Sequence, residues 1–251
     1  MVDKIYCINL HERDDRLQNA KIIFDKYDLP VTYHRVWRDN ESGQRGCFNS
    51  HIEVIKKAAS QNLNNVMIFE DDIKCALSKG EFDECMEKVY NFITHNDFDI
   101  FFLGSCPNIW LHSTKKINDN IYKVKAYQAH AYILSRSGIN KYQNLVYSNI
   151  QIDHIYAKSN KSFAIYPSIF YQNDSPSSID HPWIGGAYVR EKITKFQEYY
   201  AANINIPIID ILKLVIIIAA IGYLIYKLKL FLVIIVICLI TIIITYQHEN
   251  S

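Results

Sequence analysis

The chain has 251 residues, enough for one domain with an appendage, and its 27 basic and 26 acidic side chains leave a formal net charge of +1. This balance argues against nucleic acid as a partner, because a surface that tracks phosphates needs an excess of Lys and Arg. A hydrophobic content of 49% excludes a disordered chain, and eight Gly with six Pro exclude a collagen-like one.

Hydrophobic periodicity predicts strands that alternate with helices along the first two thirds of the chain. The predicted strands are 4–10, 31–37, 66–69, 98–103, 127–134 and 163–169. The predicted helices are 15–27, 50–59, 82–93 and 136–145. We expect a polar loop at 40–46 and a strand end at Gly104. The alternation predicts an α/β fold whose largely parallel sheet is flanked by helices, and such sheets bind ligands beyond the carboxyl ends of their strands.

The C-terminal part is almost entirely apolar. Between Ile211 and Tyr246 the charged residues are Lys213, Lys227 and Lys229, over roughly 54 Å of helix at about 1.5 Å per residue. A bilayer core is about 30 Å thick, so the stretch exceeds one span. It predicts either two short antiparallel spans, about 206–226 and 230–246, that meet at 227–229, or one span formed by the second run while the first run lies partly in the interface. A buried helix of a soluble domain is the third interpretation. We expect a catalytic domain at 1–200, a linker at 201–210, a membrane anchor at 211–246 and a tail at 247–251.

The N-terminus and the cysteines bear on the compartment. No basic segment precedes an apolar one near Met1, so we expect no signal peptide and place residues 1–205 on the cytosolic side. The six cysteines show neither CxxC spacing nor a disulfide framework. This pattern favours reduced thiols over disulfide bridges or a zinc site.

Three acidic residues directly follow the predicted strand 66–69. In an extended segment the side chains of Glu70 and Asp72 point the same way, and Asp71 points the other way. Two carboxylates at a strand end are suitable ligands for Mg²⁺ or Mn²⁺, which also bind substrate phosphates. A solvated acidic turn is the alternative interpretation.

Several short segments are similar, in chain order, to the motifs of one known family. The first segment is Ile8-Asn9-Leu10 with Arg13 and Asp15-Arg16, which is similar to the pattern INL-x-x-R-x-D-R. The second is Gly46-Cys47 with Ser50-His51, which is similar to G-C-x-x-S-H. The next are Val66 to Asp72, an apolar strand followed by E-D-D, and Ala131 to Gly138, similar to A-Y-x-x-S-x-x-G. The last are Ile152-Asp153-His154, Tyr166-Pro167, and Gln172 with Ser175 to Ile179. Together they cover about 4–180 and resemble glycosyltransferase family 25, which includes lipooligosaccharide and collagen galactosyltransferase-like proteins.

The resemblance implies a GT-A type, Rossmann-like fold and transfer of a sugar with inversion at the anomeric carbon. The donor would be a UDP-hexose, with galactose or glucose as the sugar, and the acceptor a glycan or lipid-linked hydroxyl near the membrane, as in lipopolysaccharide synthesis. Mn²⁺ (or Mg²⁺) held by Glu70 and Asp72 would act on the diphosphate leaving group. Asp153 is the expected base for the acceptor hydroxyl. It could instead be an outer metal ligand or cap a helix that starts at His154.

The resemblance also implies the residues that bind the donor. They are Asn9, Arg13, Arg16, Ser50, His51 and Asp71. For the two arginines, the alternative is that they pair locally with Glu12 and Asp14 while Asp15 caps the following helix. For Ser50, the alternative is that it acts as a helix N-cap. His181 is a candidate third metal ligand, and His130 is either a site residue or a strand histidine with a core partner.

Three functions are compatible with these features. The first is a membrane-anchored, metal-dependent inverting glycosyltransferase. The second is a degenerate relative that binds a nucleotide sugar or acts as a membrane scaffold. The third is a metal-dependent phosphotransferase or nucleotidyltransferase, which the lack of a phosphate-binding glycine-rich loop disfavours. Retention of Glu70, Asp72 and Asp153 favours the first.

Overall fold

The computed structural model of the chain describes residues 1–173, 186–204 and 206–249. The chain divides into two units, Met1–Ile206 and a second that begins at Pro207. In the described residues the strands are β1 (Lys4–Leu10), β2 (Val31–Val36), β3 (Asn65–Glu70), β4 (Ile73–Lys74), β5 (Ile100–Pro107), β6 (Lys115–Asn118), β7 (Ile121–Lys123), β8 (Ala126–Ser135), β9 (Ser162–Ile165) and β10 (Tyr171–Gln172). The helices are α1 (Asp14–Lys26), α2 (Gly43–Ser60), α3 (Lys79–His95), α4 (Arg136–Tyr142), α5 (Ile152–Tyr156), α6 (Gly186–Asn203) and α7 (Ile208–Glu249).

The central sheet has eight strands among the described residues, in the order β2-β1-β3-β8-β5-β9-β7-β6. β1 pairs parallel with β2 and β3, and β5 pairs parallel with β9. β8 lies antiparallel between β3 and β5. The predicted α/β architecture, a mixed and largely parallel sheet with flanking helices, is confirmed. A two-stranded antiparallel pair, β4 with β10, places Gln172 opposite Ile73, directly after the three acids.

The core has two halves because successive side chains of a strand point to opposite faces of the sheet. On one face Cys7, Phe69 and Phe101 pack against α1 and α3. On the other face Tyr6, Ile68, Phe102 and Tyr132 pack against α2, α4 and α5. Since both faces are covered by helices, the inner strands are mostly apolar.

The helix α2 begins seven residues before the predicted start at residue 50. Ser42 is its N-cap, and the Ser42 side chain accepts a hydrogen bond from the backbone N–H of Arg45. Asp39 accepts from the backbone N–H groups of Glu41 and Ser42, which fixes the chain before the helix. The loop predicted at 40–46 is therefore wrong over its second half, and Ser50 lies inside the helix instead of capping it.

Two predicted strand ends also differ. β5 continues through Gly104 to Pro107. The glycine is needed inside the strand because a Cβ there would lie 2.3 Å from His130 Nε2 and from the Phe170 carbonyl oxygen. The pairing register of β5 with β8 shifts at this glycine, as expected for a bulge. β9 ends at Ile165, so the strand predicted to reach residue 169 is too long.

The second unit contains one continuous helix, α7, of 42 residues. Its stretch Ile208–Lys229 is long and apolar enough to cross a membrane. The described backbone of α7 does not turn near Lys227. The candidate span lies in the first of the two predicted apolar runs.

Candidate active site

The three acids lie at the end of β3, beside the end of β1. Glu70 is the last residue of β3, and Asp71 and Asp72 form the turn that follows. All three line one small cavity of about 130 Å³. The predicted alternation, with Asp71 facing away, does not hold because the extended strand ends at Glu70.

Asp71 is held by the first strand and the first helix. The side-chain amide of Asn9 donates to Asp71 Oδ2 at 2.6 Å, and Arg16 Nη1 donates to Asp71 Oδ1 at 3.0 Å. The same Arg16 nitrogen lies 3.5 Å from Asp72 Oδ2. Burial raises the pKa of Asp71, and the Arg16 charge and the Asn9 hydrogen bond oppose that rise. Arg16 therefore neutralises part of a buried acidic cluster.

Glu70 contacts His51 and Gln172, which also line the smaller cavity. Glu70 Oε1 lies 3.3 Å from His51 Nε2, and Gln172 Nε2 donates to Glu70 Oε2 at 3.4 Å. Burial pushes the pKa of Glu70 up, but the hydrogen bond and charge of His51, with smaller contributions from His130 and Arg16, bring it below its usual value. Glu70 is the most exposed of the three acids, with 26% of its side chain accessible.

His51 is fixed from behind by two tyrosines. His51 Nδ1 lies 2.7 Å from the Tyr132 hydroxyl, and that hydroxyl lies 3.1 Å from the Tyr156 hydroxyl. Burial raises the pKa of both tyrosines, so both hydroxyls stay protonated at neutral pH. With Nδ1 engaged by Tyr132, His51 turns Nε2 toward Glu70 and the cavity.

Cys47 joins His51 and Glu70 in a cluster that sequence reasoning missed. One ligand atom from each of the three lies within 4.8 Å of the others. Burial, together with the charges of Glu70, Asp153 and Asp72, raises the pKa of the Cys47 thiol well above its usual value. The signal was present in the sequence, because Cys47 and His51 are four residues apart and so share one face of a helix.

A second and larger cavity, of about 530 Å³, contains Asp153. Asp153 Oδ2 accepts from the backbone N–H of Gln128 at 3.1 Å, and Oδ1 accepts from the backbone N–H of His154 at 2.8 Å. Gln128 adopts a left-handed backbone conformation with φ of 64°. Gln151 is the N-cap of α5 and Asp153 lies in its first turn, so the carboxylate does not cap a helix that starts at His154.

The two cavities share part of their walls. Cys47, Glu70 and Gln172 line both. The smaller cavity carries the acids and Arg16, and the larger one carries Asp153 together with aromatic side chains such as Trp110 and Tyr127. Glu70 therefore lies where the two spaces meet.

The remaining predicted residues fall into three groups. Asn9, Ser50 and His51 line the smaller cavity, where the Ser50 hydroxyl donates to the Gly46 carbonyl at 2.7 Å. Arg13 does not line either cavity and forms an ion pair with Asp15 at 2.7 Å. His181 lies outside the described residues.

The contacts of Arg16, Arg13 and His130 bear on the alternatives left open by the sequence, namely local pairing of the arginines, capping by Asp15 and a core role for His130. Arg16 pairs with Asp71 and Asp72, whereas Glu12 pairs with Arg38 and Asp14 pairs with Arg35. The helix α1 has Arg13 at its N-cap position without a side-chain cap bond, so Asp15 is not the cap. His130 is a buried strand histidine whose Nε2 lies 3.0 Å from the Phe170 carbonyl oxygen, as one of its alternatives predicted.

The residues of the smaller cavity include two candidate sets of metal ligands. Glu70 and Asp72 both line this cavity, and carboxylate oxygens are the ligands that Mg²⁺ and Mn²⁺ prefer. The Cys47–His51–Glu70 cluster offers a different set of sulfur, nitrogen and oxygen atoms. Neither set identifies the metal by itself.

Comparison with known proteins gives one family. The model of glycosyltransferase family 25, described as an LPS biosynthesis protein family, matches residues 34–159. That segment includes His51, the three acids and Asp153, and it begins after Asn9 and Arg16. No curated protein matches the chain.

Solved structures show only weak similarity. A197 from STIV has a TM-score of 0.43 at 13% identity, covering 72% of this chain and 100% of its own. Mannose-1-phosphate geranyltransferase from Thermus thermophilus has a TM-score of 0.41 at 6% identity, covering 64% and 73%. The inositol-1-phosphate CTP transferase from T. maritima has a TM-score of 0.38 at 12% identity, covering 76% of each chain.

Proposed function

The chain belongs to glycosyltransferase family 25, and on that premise we propose that it is a membrane-anchored, metal-dependent inverting hexosyltransferase. Its donor is a UDP-sugar, with galactose or glucose as the transferred hexose. Its acceptor is a hydroxyl of a glycan or of a lipid-linked sugar, in keeping with the family description as LPS biosynthesis proteins. Residues 1–200 carry the catalysis, 201–210 form the linker and 211–246 form the anchor.

The observation that carries this proposal is the meeting of two cavities at Glu70. A transfer reaction needs two substrates whose reacting atoms come together while the rest of each is bound apart. We assign the diphosphate end of the donor to the smaller cavity, since it contains the acids that would hold the cation bound to that diphosphate. The larger cavity is suited to the acceptor, because aromatic side chains and Asp153 line it.

In this proposal Glu70 and Asp72 hold Mn²⁺ (or Mg²⁺), with His181 as a candidate third ligand. When bound, the cation supplies positive charge to the departing diphosphate. Arg16 pairs with both Asp71 and Asp72 and so holds them together, and Asn9 fixes the orientation of Asp71. These contacts preorganise the acids before the donor arrives, which lowers the cost of assembling the site.

Asp153 is the proposed base. Inversion proceeds by a single displacement, in which the acceptor hydroxyl loses its proton as it attacks the anomeric carbon. Two backbone N–H groups, from Gln128 and His154, hold the Asp153 carboxylate in a fixed orientation. Each carboxylate oxygen retains lone pairs that can accept the hydroxyl proton.

The test uses the full-length chain purified in detergent with Mn²⁺ and a panel of UDP-, GDP- and CMP-sugars. We expect a new glycosidic bond of inverted configuration from a UDP-hexose, and loss of turnover when a chelator removes the metal. Asp153→Asn should lower kcat by about 10²- to 10⁴-fold, the range for a lost acid–base group. The matched control is Asp83→Asn, which changes an exposed acid on α3 that pairs with Lys79.

Three results would contradict the proposal. Equal turnover of Asp153→Asn and Asp83→Asn would remove Asp153 from the chemistry. Transfer of a phosphate or nucleotide instead of a sugar would identify a phosphotransferase or nucleotidyltransferase. Nucleotide-sugar binding by calorimetry, without transfer to any acceptor offered, would identify a degenerate binding or scaffold protein.

A further inference from the structure

The cluster of Cys47, His51 and Glu70 is a second set of metal-binding atoms beside the acidic one. The two residues on α2 lie one helical turn apart on the same face, and Glu70 approaches them from the end of β3. The three ligand atoms lie within 4.8 Å of one another. Among the side chains that the structure describes, Cys7, Cys47, Cys75, Cys85 and Cys106 are free thiols, and Cys47 is the one of these that shares a cluster of this kind.

We propose that Cys47, His51 and Glu70 form a binding site for a thiophilic divalent cation such as Zn²⁺, distinct from the oxygen-only site at Glu70 and Asp72. The inference goes beyond the proposed function, since the site exists whether or not the chain transfers a sugar. It also corrects the expectation from cysteine spacing alone, because a single cysteine can complete a zinc site when a histidine and a carboxylate supply the other ligands.

The geometry agrees with a tetrahedral centre. Zinc bonds of about 2.0–2.3 Å at tetrahedral angles place neighbouring ligand atoms about 3.3–3.7 Å apart. His51 Nε2 and Glu70 Oε1 are already 3.3 Å apart, which is long for a strong hydrogen bond but suited to two ligands of one ion. Because the sulfur lies within 4.8 Å of both atoms, a contraction of at most about 1.5 Å would bring it to a tetrahedral separation.

The histidine is oriented in the manner of metal-bound histidines. In such sites the ring nitrogen that does not bind the metal is usually held by a hydrogen-bonding partner, which fixes the tautomer and the ring plane. Tyr132 performs this role at 2.7 Å from His51 Nδ1, and Tyr156 in turn holds Tyr132. His51 is only 1% exposed, so the ring has little freedom to turn away.

The surroundings favour a cation and leave it accessible. Besides Glu70, Asp153 lines the larger cavity and Asp72 lines the smaller one, and Cys47 lines both. Cys47 and Glu70 line both cavities, so a fourth coordination position opens to solvent or to a ligand. Three protein ligands with one open position are typical of exchangeable zinc centres, and a site with sulfur and nitrogen binds Zn²⁺ far better than Mn²⁺.

Glu70 belongs to both donor sets, which gives the site a consequence for the proposed function. Occupation of the cysteine site withdraws a carboxylate from the oxygen site. If the proposed function is correct, Zn²⁺ inhibits transfer in competition with Mn²⁺, and Cys47→Ser weakens that inhibition.

The test of the site itself does not use activity. The full-length chain in detergent is titrated with Co²⁺, whose spectrum reports a bound thiolate by a charge-transfer band and tetrahedral geometry by intense visible absorption. We expect both features at one Co²⁺ per chain and their displacement by Zn²⁺. Cys47→Ser, a change of one atom, should abolish the thiolate band, whereas Cys106→Ser, a thiol of the larger cavity outside the cluster, should retain it.

Two further variants separate this site from the oxygen site. Asp72→Asn should keep the thiolate band, because Asp72 is not part of the cluster. Tyr132→Phe should keep the band while weakening Co²⁺ affinity by about 10- to 100-fold, the usual effect of losing the partner that orients a ligand. The proposal is overturned if wild type shows no thiolate band, if the band persists in Cys47→Ser, or if Asp72→Asn loses it.

Discussion

Arg16 shows how much one buried charge matters in this protein. Arg16 and Asp71 are each only 6% exposed and lie 3.0 Å apart, so each depends on the other for compensation. Replacing one partner of a buried pair leaves the other uncompensated, at a cost of about 3–5 kcal/mol. We expect Arg16→Met to lower the free energy of unfolding by that amount, measured by urea denaturation in detergent with circular dichroism.

The control for Arg16 lies on an exposed helix face. Lys88 pairs with Glu84 at 3.0 Å on α3, where water screens both charges. Lys88→Met should therefore leave the free energy of unfolding almost unchanged. Equal losses in the two variants would show that the acidic cluster does not need Arg16 for stability.

Glu198 is a second buried acid, and its environment differs from that of Asp71. Glu198 on α6 is 3% exposed and accepts hydrogen bonds from the Ser168 backbone N–H, the Ser168 hydroxyl and the Tyr171 hydroxyl. Burial outweighs these hydrogen bonds and raises the pKa of Glu198 to about 7. The folded chain therefore keeps a proton on Glu198 at pH values where the unfolded chain releases it.

This raised pKa gives stability a definite dependence on pH. The proton that the folded chain retains on Glu198 contributes to the free energy of unfolding. This contribution is complete below the unfolded pKa near 4.5 and is lost as the pH rises through about 7, which lowers the free energy of unfolding by about 3 kcal/mol. Glu198→Gln should remove this slope, measured as the free energy of unfolding between pH 4.5 and pH 7.5. Glu191→Gln is the control: hydrogen bonds from Lys195 and Lys74 lower the pKa of Glu191, so the slope in this range should persist. Identical slopes in wild type and Glu198→Gln would contradict the assignment.

At the scale of elements, the start of α2 decides where Cys47 and His51 lie. Gly46 is part of this helix, and a Cβ there would lie 2.8 Å from Asp39 Cβ. Asp39 cannot move aside easily because it binds the backbone at Ser42 and the side chain of Arg45. We expect Gly46→Ala to destabilise the protein by about 1–3 kcal/mol through overpacking, measured by thermal unfolding.

The matched control is another helical glycine. At Gly80, in the first turn of α3, a Cβ would meet nothing within 4 Å. Gly80→Ala should therefore stabilise the protein, by up to about 1 kcal/mol, because alanine loses less backbone entropy on folding. If Gly46→Ala instead stabilised the protein, the loop at Asp39 would have to move away to make room for the added Cβ.

The start of α2 also shows where sequence reasoning fails. Residues 40–46 contain two glycines and several polar side chains, which is typical of a loop. What makes the second half helical is the capping by Ser42 and the tertiary packing against Asp39, which local propensity does not contain. In contrast, β1 and α3 were predictable because an apolar run and an amphipathic period, respectively, dominate their sequences.

At the scale of the whole molecule, the site depends on β8, a strand whose position in the sheet does not follow from its position in the sequence. β8 comes late in the chain but lies between β3 and β5, antiparallel to both. This insertion puts Ile68 opposite Tyr132 and so brings the tyrosine behind His51. The sequence predicts the acids and the histidine, because a strand end and a family motif contain them. It does not predict Gln172 or Tyr132 as their neighbours, since those contacts arise only from the pairing of distant segments.

Membrane attachment is a property of the molecule as a whole. The stretch Ile208–Lys229 of α7 is long and apolar enough to span a bilayer. We expect the full chain to sediment with membranes after a carbonate wash. We expect Ile217→Arg, near the middle of the span, to reduce insertion, because a central arginine costs about 2.5–3.5 kcal/mol. Tyr199→Arg on α6, outside the span, is the control. In sealed vesicles with the cytosolic face outward, added protease should digest residues 1–205, and protection of that segment would overturn the proposed cytosolic placement.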